Sequence, residues 1–157
     1  MDKENIIEIK NLCKSFKDVK AVDDLSFCVK KGELFAFLGV NGAGKSTTIS
    51  IICNRLKNDS GQVYINGKNA DEGVMSVKRN LGVVFQNSAL DSALTVKDNL
   101  KNRASLYGIT GENFVKRLAE LDTLLDVSSL LKRAVGKLSG GQRRRVDIAR
   151  ALLHRPE

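Results

Sequence analysis

Several residue types are scarce in this sequence, and each shortage argues against a class of protein. The chain has one histidine and three cysteines, and no two cysteines have Cys-x-x-Cys spacing, which argues against a zinc site or a disulfide framework. Its single proline argues against a proline-rich linker. No apolar run approaches the ~20 residues of a membrane-spanning helix, and the N-terminal residues lack a secretory-signal pattern. We therefore expect buried thiols in a reducing compartment and no membrane span.

The residues that are present describe an ordinary globular chain with an excess of positive charge. Hydrophobic residues make up 42% and charged residues 28% of the 157 residues, which predicts one folded domain rather than a disordered chain. The net charge is +8, and its densest patch, residues 137–155, has six basic residues against one aspartate. Such a patch occurs on nucleic-acid-binding proteins, but charge alone fits a solvated surface equally well. We expect no direct binding of nucleic acid.

Alternating apolar residues predict β-strands in the first third of the chain. Ile7 and Ile9 alternate with polar neighbours, and Leu25, Phe27 and Val29 do the same further on. This period of two residues is typical of half-buried antiparallel strands.

Three more segments also predict strands. Residues 34–38 and 81–85 are continuously apolar, as expected of strands that are covered on both faces. Val63 and Ile65 predict a short strand that ends at the turn formed by Asn66 and Gly67.

Helical periodicity replaces this pattern after residue 86. Thr95 and Asp98 have the spacing of a capping box. Apolar residues then recur three or four positions apart, which predicts two amphipathic helices that pack on each other. The first face has Val96, Leu100, Ala104 and Tyr107, and the second has Phe114, Leu118, Leu121 and Leu125. A last helix is predicted from about Gly140, with Val146, Ala149 and Leu153 on one face.

A glycine-rich segment between a predicted strand and a predicted helix matches the phosphate-binding pattern G-x-x-x-x-G-K-[S/T]. Glycines allow the backbone to approach a phosphate closely, and the start of the following helix adds a positive dipole. Lys45 supplies a point charge for the β- and γ-phosphates, Ser46 an oxygen ligand for Mg²⁺, and Thr47 a donor to an α-phosphate oxygen. The segment comprises Gly39, Val40, Asn41, Gly42, Ala43, Gly44, Lys45, Ser46 and Thr47.

The alternative for this segment is a glycine-rich turn that only links a strand to a helix. The flanking elements favour a triphosphate site, because an apolar strand is predicted before the loop and an amphipathic helix after it. We expect that helix to bury Ile49, Ile52, Cys53 and Leu56.

A second glycine motif, Leu138-Ser139-Gly140-Gly141-Gln142, precedes the last predicted helix. Alone it fits a plain N-terminal turn, although a helix start with glycines is also an anion site. The order of the two motifs, with residues 81–86 between them and Arg143–Leu152 after them, resembles the ATP-binding subunit of ABC transporters. The resemblance covers the whole chain, and residues 94–108 are similar to exporters of the drug-resistance type.

The resemblance implies an α/β fold: a P-loop NTPase core of the ABC type with an antiparallel β-subdomain and a helical subdomain. It divides a single, partial ATP-binding domain, residues 1–157, into three parts. Residues 1–86 would be the β-subdomain and P-loop core, residues 87–137 the helical subdomain, and residues 138–157 the signature motif with its following helix.

The resemblance also implies a mechanism and site residues. Two subunits would bind ATP and Mg²⁺ in a head-to-tail dimer, homodimeric or with a paired subunit, each ATP lying between one P-loop and the partner's signature. Ser139 and Gly141 would contact the γ-phosphate, with Gly140 and Gln142 in the same signature. Gln86 would sense Mg²⁺ and the attacking water, although it could simply end a strand. Phe16 would stack on adenine, or be only a core or edge aromatic.

The same resemblance places Val22 near the ribose and a docking surface for a separate transmembrane permease around Gln86 and residues 87–95. The protein would then lie at the cytoplasmic face of the cell membrane. As a complete domain it would be an ATPase that powers transport.

The family's catalytic strand ending in Asp-Glu and its switch histidine have no counterpart in these residues. Asp126 has helical neighbours, and His154 lies in the helix after the signature. We therefore expect an incomplete sheet, self-association, and ATP binding without efficient hydrolysis by this segment, which ends before the catalytic strand. Two alternatives remain open: a nucleotide-binding module that never hydrolyses, and a soluble ABC protein that acts on nucleic acid or ribosomes.

Overall fold

The computed structural model describes residues 5–72 and 74–156, with only the backbone for residues 74–76. The chain divides into two compact units, residues 1–81 and 82–157. Each unit has a hydrophobic core of its own. Among the described residues, no helix combines the length and the apolar character that crossing a membrane requires.

The first unit is built on an antiparallel sheet. Its strands are β1 (Asn5–Phe16), β2 (Val19–Lys30), β3 (Ser60–Ile65) and β4 (Lys68–Asn69). They lie in the order β2-β1-β3-β4, so β1 is paired on both edges. Alternation sends Val63 and Ile65 to the core, where both are at most 4% exposed. An irregularity in β1 between Ile9 and Leu12, where Asn11 has a φ of 48°, brings both of these residues to the core as well. The predicted antiparallel strands are therefore confirmed.

The hairpin between β3 and β4 turns where the sequence predicts it. Asn66 and Gly67 both have positive φ, of 52° and 72°, as a two-residue turn of the first primed type requires. Ile65 pairs with Lys68 across this turn.

Two helices complete the first unit: α1 (Lys45–Ile52) and α2 (Val74–Asn80). The buried face of α1 differs in part from the predicted one. Thr48 and Ile51 are buried and Ile49 is 46% exposed, whereas Ile52 packs against the core as predicted. The helix ends at Ile52, with Cys53 as its C-cap, and Asn54 follows in a left-handed conformation with φ of 50°. Leu56 also packs against the core, but from beyond the helix.

The predicted strand at residues 34–38 is not formed. Leu34 is 98% and Leu38 86% exposed, and the backbone around them has no regular structure. Phe35 and Phe37 instead pack with Phe27, with ring centroids 5.0 Å and 5.6 Å from it. A strand covered on both faces needs a hydrogen-bonding neighbour, and the four strands in the described ranges pair only with one another.

The apolar segment at residues 81–85 also forms no strand in the described structure. Leu81 packs against the core of the first unit, whereas residues 82–85 belong to the second unit and contact the end of the chain. A Cβ on Gly82 would come within 2.8 Å of the carbonyl oxygen of Ala151, and Arg144 Nη1 donates to the carbonyl of Phe85 at 2.7 Å. Close contact with a helix, rather than a ladder of strands, therefore determines this conformation.

The second unit is helical. Its helices are α3 (Val96–Ser105), α4 (Gly111–Leu125) and α5 (Gly140–Leu152), and the short 3₁₀ turns Ser128–Leu130 and Val135–Lys137 connect the last two. Thr95 caps α3 as predicted, because its Oγ1 accepts from the backbone N–H of Asp98 at 3.1 Å.

The predicted helical faces form the core of the second unit, except that Tyr107 lies beyond the end of α3 and stacks on His154 instead. The buried members are Val96, Leu100, Ala104, Phe114, Leu118, Leu121, Val146, Ala149 and Leu153, with Leu125 packed against them. Side chains on both sides of residue 137 thus share one core. The predicted three-part division at residues 86 and 137 stays a prediction.

The three cysteines are free thiols in the structure. Cys13 and Cys53 are partly buried, and burial raises the pKa of the Cys53 thiol. Cys28 is exposed, contrary to the expectation of a buried thiol, because it lies on the outward face of β2 beside the inward-facing Val29.

Candidate functional site

The loop at residues 39–47 leads directly into the first turn of α1. Gly42 and Gly44 have φ of 90° and 76°, a backbone conformation that favours glycine. Gly44 is also pressed against β2, because an added Cβ would overlap the carbonyl oxygen of Ala21. The loop pattern therefore needs glycine at position 44 for two reasons, conformation and space.

The side chain of Lys45 turns back over this loop. Its ammonium donates to the carbonyl oxygens of Gly39 at 2.5 Å and Val40 at 2.6 Å. At the base of the loop, buried Thr48 donates from Oγ1 to the carbonyl of Gly44 at 2.9 Å. The loop is thus held at both ends by residues of α1.

A cavity of about 180 Å³ opens beside the loop, and Asn41, Gly42, Lys45, Ser46 and Thr47 line it. The first N–H groups of a helix have no acceptor within the helix, and α1 has no side-chain cap at its start. No acidic residue lies in its first turn. This end of the cavity is therefore electropositive and suits an anion with several oxygens.

Two predicted nucleotide contacts, Phe16 and Val22, also lie in the first unit. Phe16 ends β1 and is 47% exposed, as a ring that receives a ligand must be. Val22 is only 6% exposed, and its Cγ2 lies 3.2 Å from the position of a Cβ on Gly44. Val22 therefore packs against the loop at Gly44. Its contact with a ribose stays a prediction.

The second glycine motif caps α5. Ser139 Oγ accepts from the N–H of Gln142 at 3.3 Å, and Gln142 Oε1 accepts from the N–H of Ser139 at 3.1 Å. This is a complete capping box, a role that the Ser-x-x-Gln spacing could have predicted. A Cβ at Gly140 or Gly141 would meet nothing within 4 Å, so this helix start is open to a ligand or partner.

Gln86 is exposed and lines a cavity of about 370 Å³ with Arg143, Arg144 and Asp147. Asp147 is only 7% exposed and accepts from Ser88 Oγ at 3.0 Å. Sequence reasoning counted Asp147 only as a charge in the basic patch. Asp147 follows Val146 in α5, so the helical period puts it at the edge of the apolar face, where an aspartate is expected to be exposed. Its burial was therefore missed.

The geometry of the first unit defines a class of protein. A glycine-rich loop turns into the start of a helix, a lysine lies over the loop, and an exposed aromatic ring ends a neighbouring strand. This is the phosphate-binding loop of a P-loop nucleotide-binding protein.

Comparison with known proteins narrows the class to a family. The family model described as "ABC transporter" matches residues 22–157. The chain therefore belongs to the ABC transporter family of ATP-binding proteins.

Curated relatives match along nearly the whole chain. The linearmycin resistance ATP-binding protein LnrL of Bacillus subtilis is 37% identical over 97% of this chain and 49% of its own length. The bacitracin transport ATP-binding protein BcrA of Bacillus licheniformis has the same identity and coverage. The probable multidrug ABC transporter ATP-binding protein YbhF of Escherichia coli is 35% identical over 98% of this chain and 27% of its own length. The chain thus spans half or less of the length of these relatives.

Solved structures confirm the fold class. The structure of cbiO1 from Clostridium perfringens, part of the ABC transporter complex cbiONQ, has a TM-score of 0.87 and 29% identity, covering 98% of this chain and 63% of that one. MJ0796, described as a dimeric bacterial ABC transporter cassette, has a TM-score of 0.83 and 31% identity, covering 96% and 70%. The ABC-type P-loop fold is confirmed.

Proposed function

We propose that this protein is the ATP-binding subunit of an ABC transporter, which binds Mg-ATP and hydrolyses it to drive transport through a separate permease. The observation that carries the proposal is the loop at residues 39–47, where Gly44 packs against β2 and Lys45 lies over the loop. The names of the relatives, which include resistance and transport ATP-binding proteins, support an exporter of the drug-resistance type.

The phosphates would bind in the cavity beside the loop. Lys45 would exchange its two carbonyl acceptors for β- and γ-phosphate oxygens, a stronger, charge-assisted pairing. Backbone N–H groups at the start of α1 and the hydroxyl of Thr47 would donate to the remaining oxygens. Phosphoryl transfer depends mainly on positively charged and hydrogen-bonding groups that are held in position around the phosphates, as these would be.

The residues present also suit a magnesium ion. Ser46 lines the phosphate cavity at the start of α1 and is exposed, so its hydroxyl is available as an oxygen ligand. Mg²⁺ takes few protein ligands and completes its shell with phosphate oxygens and water, so the Ser46 hydroxyl would be one of its oxygen ligands. When bound, the ion would neutralise charge that develops on the β- and γ-phosphates.

The adenosine part would lie against the exposed ring of Phe16, with Val22 near the ribose. An aromatic ring contributes about 1–3 kcal/mol to base stacking. This supports Phe16 as the adenine contact, since it is 47% exposed at a strand end.

The signature Ser139–Gln142 would complete the site on a second subunit, so that two chains enclose two nucleotides in a head-to-tail dimer. Two features support this role: the start of α5 is open at both glycines, and its N-terminus favours an anion. Gln86 would connect the nucleotide to the permease, which would dock around residues 87–95. The protein would then work at the cytoplasmic face of the membrane.

Hydrolysis is proposed for the complete domain. We expect these 157 residues alone to bind ATP without efficient turnover, because no strand in the described ranges ends in an Asp-Glu pair that could support Mg²⁺ and activate water. Loss of such positioned charge typically costs about 10²–10³ in rate for each group.

Calorimetric titration of Mg-ATP into the wild type and Lys45→Ala tests the proposal. We expect the variant to lose more than about tenfold in affinity, because it loses the charge that pairs with two phosphates. Lys68→Ala, on the β3–β4 hairpin, is the control and should bind as the wild type does. Equal affinity of the wild type and Lys45→Ala would contradict the proposal.

A further inference from the structure

The last three residues of β1 are paired with a strand on one side only. On the β2 side the pairing continues past a register shift between Lys14 and Ser15, as far as Phe16 and Val19. On the β3 side it ends at Cys13 and Ser60, so the strand that carries Phe16, the exposed ring proposed to stack on adenine, has no strand neighbour there. A strand end held on one edge moves more readily than one held on both, and the ring would move with it.

Asp59 supplies the missing bonds. Its carboxylate accepts from the backbone N–H of Ser15 at 2.7 Å and from the ammonium of Lys14 at 2.5 Å. Its own N–H donates to the carbonyl of Cys13 at 3.0 Å. One residue thus continues the β1–β3 ladder, with its side chain in place of a strand, up to the residue before Phe16.

Lys14 extends this support to the ring itself. Its ammonium lies 5.7 Å from the centroid of Phe16, within the distance of a cation–π contact. The Lys14 side chain is only 14% exposed, and its ammonium forms an ion pair with the carboxylate of Asp59. The hydrogen bonds from Lys14 and Ser15 hold the pKa of Asp59 below its usual range, so the carboxylate stays charged further into acid than an ordinary aspartate does.

The loop that contains Asp59 is itself held in place. Asn58 Nδ2 donates to the carbonyl oxygens of Ser60 at 3.0 Å and Gly61 at 2.9 Å. The carboxylate therefore starts from a defined position at the beginning of β3.

We propose that Asp59 is a positioning residue for adenine binding: through Ser15 and Lys14 it holds the Phe16 ring in the orientation that receives the base. The proposal rests on the proposed ATP site. Asp59 itself would make no contact with the nucleotide. Because Lys14 approaches one face of the ring, the base stacks on the other face.

Binding measurements on the full-length protein separate positioning from general stability. We expect Asp59→Ala to weaken Mg-ATP binding about threefold to tenfold, a part of the stacking contribution, and to leave binding of Mg-tripolyphosphate within about twofold. Glu8→Gln, which breaks a different ion pair of β1, is the matched control. Equal weakening of both ligands by Asp59→Ala, or no weakening of ATP binding, would overturn the proposal.

A double-mutant cycle tests whether Asp59 acts through the ring. In a Phe16→Ala background, Asp59→Ala should add less than about twofold to the loss of ATP affinity, whereas independent effects would multiply. Asp59→Asn is the second variant in case Asp59→Ala does not fold, because its amide oxygen still accepts from Ser15 while the charge beside Lys14 is lost. Multiplying effects would show that Asp59 does not act through Phe16.

Fluorescence gives a readout that requires no nucleotide. The chain contains no tryptophan, so Phe16→Trp creates a single tryptophan at the position of the ring, which long-wavelength excitation selects over the two tyrosines. Adding Asp59→Ala should lower the emission anisotropy of the free protein, and adding Glu8→Gln should not. Unchanged anisotropy with Asp59→Ala would overturn the proposal. A wild type that binds neither ATP nor tripolyphosphate would instead count against the proposed function and leave the anisotropy test intact.

Discussion

At the scale of single residues, the phosphate loop depends most on Gly44. Its φ of 76° strains any residue with a Cβ, and the carbonyl of Ala21 occupies the space that the Cβ would need. Gly42 has a φ of 90° but open space around it. The chain thus contains a pair of glycines that separates the cost of conformation from the cost of a clash.

Gly44→Ala should therefore destabilise the first unit more than Gly42→Ala does. A left-handed backbone costs about 1–2 kcal/mol for alanine, and both variants incur it, but only Gly44→Ala must also move β2 away from the loop. Urea unfolding gives the two free energies of unfolding, and Mg-ATP titration gives the matching affinities. Equal stability of the two variants would show that β2 moves away from the added methyl group without a loss of free energy of unfolding.

At the scale of elements, the start of α5 combines two functions. Its capping box satisfies N–H groups within the chain, while its two glycines leave the helix end open. The proposed dimer contact and the stability of the helix therefore depend on one serine. A carboxylate in place of the serine would separate the two functions, because it also caps the helix but repels a phosphate.

Ser139→Ala should lower the free energy of unfolding by about 1 kcal/mol, the usual cost of a lost N-cap. Ser139→Asp should retain the stability of the wild type but weaken ATP-dependent dimerisation of the full-length protein, since its charge would face the γ-phosphate. Thermal unfolding and light scattering with ATP measure the two effects. If Ser139→Asp dimerises like the wild type, the signature does not contact phosphate in the proposed way.

At the scale of the whole chain, carboxylates with a lowered pKa stabilise both units. Hydrogen bonds from Arg155 and then Arg117 lower the pKa of Glu120 in the second unit, and the backbone of Ser128 lowers that of Asp122. Arg117 also donates to the carbonyl of Leu153 at 3.0 Å, so the Glu120 cluster joins α4 to the end of α5. Asp59 has the corresponding shift in the first unit.

The lowered pKa values of these carboxylates predict that the protein loses stability in acid. A lowered folded-state pKa means that ionised Glu120 stabilises the fold above the unfolded-state value of about 4.3 and that this contribution disappears as the pH falls through the folded-state pKa. Glu120→Gln should therefore be less stable than the wild type at pH 7, with the difference shrinking below about pH 4. Thermal unfolding across this range measures both, with Glu112→Gln as the control. A difference that is constant with pH would contradict this assignment.

Local patterns were sufficient for several parts of the fold and the candidate site. The phosphate-binding role of the loop at residues 39–47 stays a prediction, whereas the cap at Thr95, the turn at Asn66 and Gly67, and most of the apolar faces of α3 to α5 were predicted correctly. Each depends on residues within a few positions of one another, whose spacing reflects the periods of helices, strands and turns. The family could be inferred for the same reason, since its two glycine motifs are short and contiguous.

Contacts between distant parts of the chain determined the rest. Residues 34–38 are apolar, yet they form no strand among the described residues, because hydrogen-bonding neighbours and not composition make a strand. The carboxylate of Asp59 reaches a backbone N–H 44 residues earlier, and Asp147 is buried against a serine 59 residues away. No local pattern specifies such partners, because they become neighbours only when the chain has folded and water has been excluded from between them.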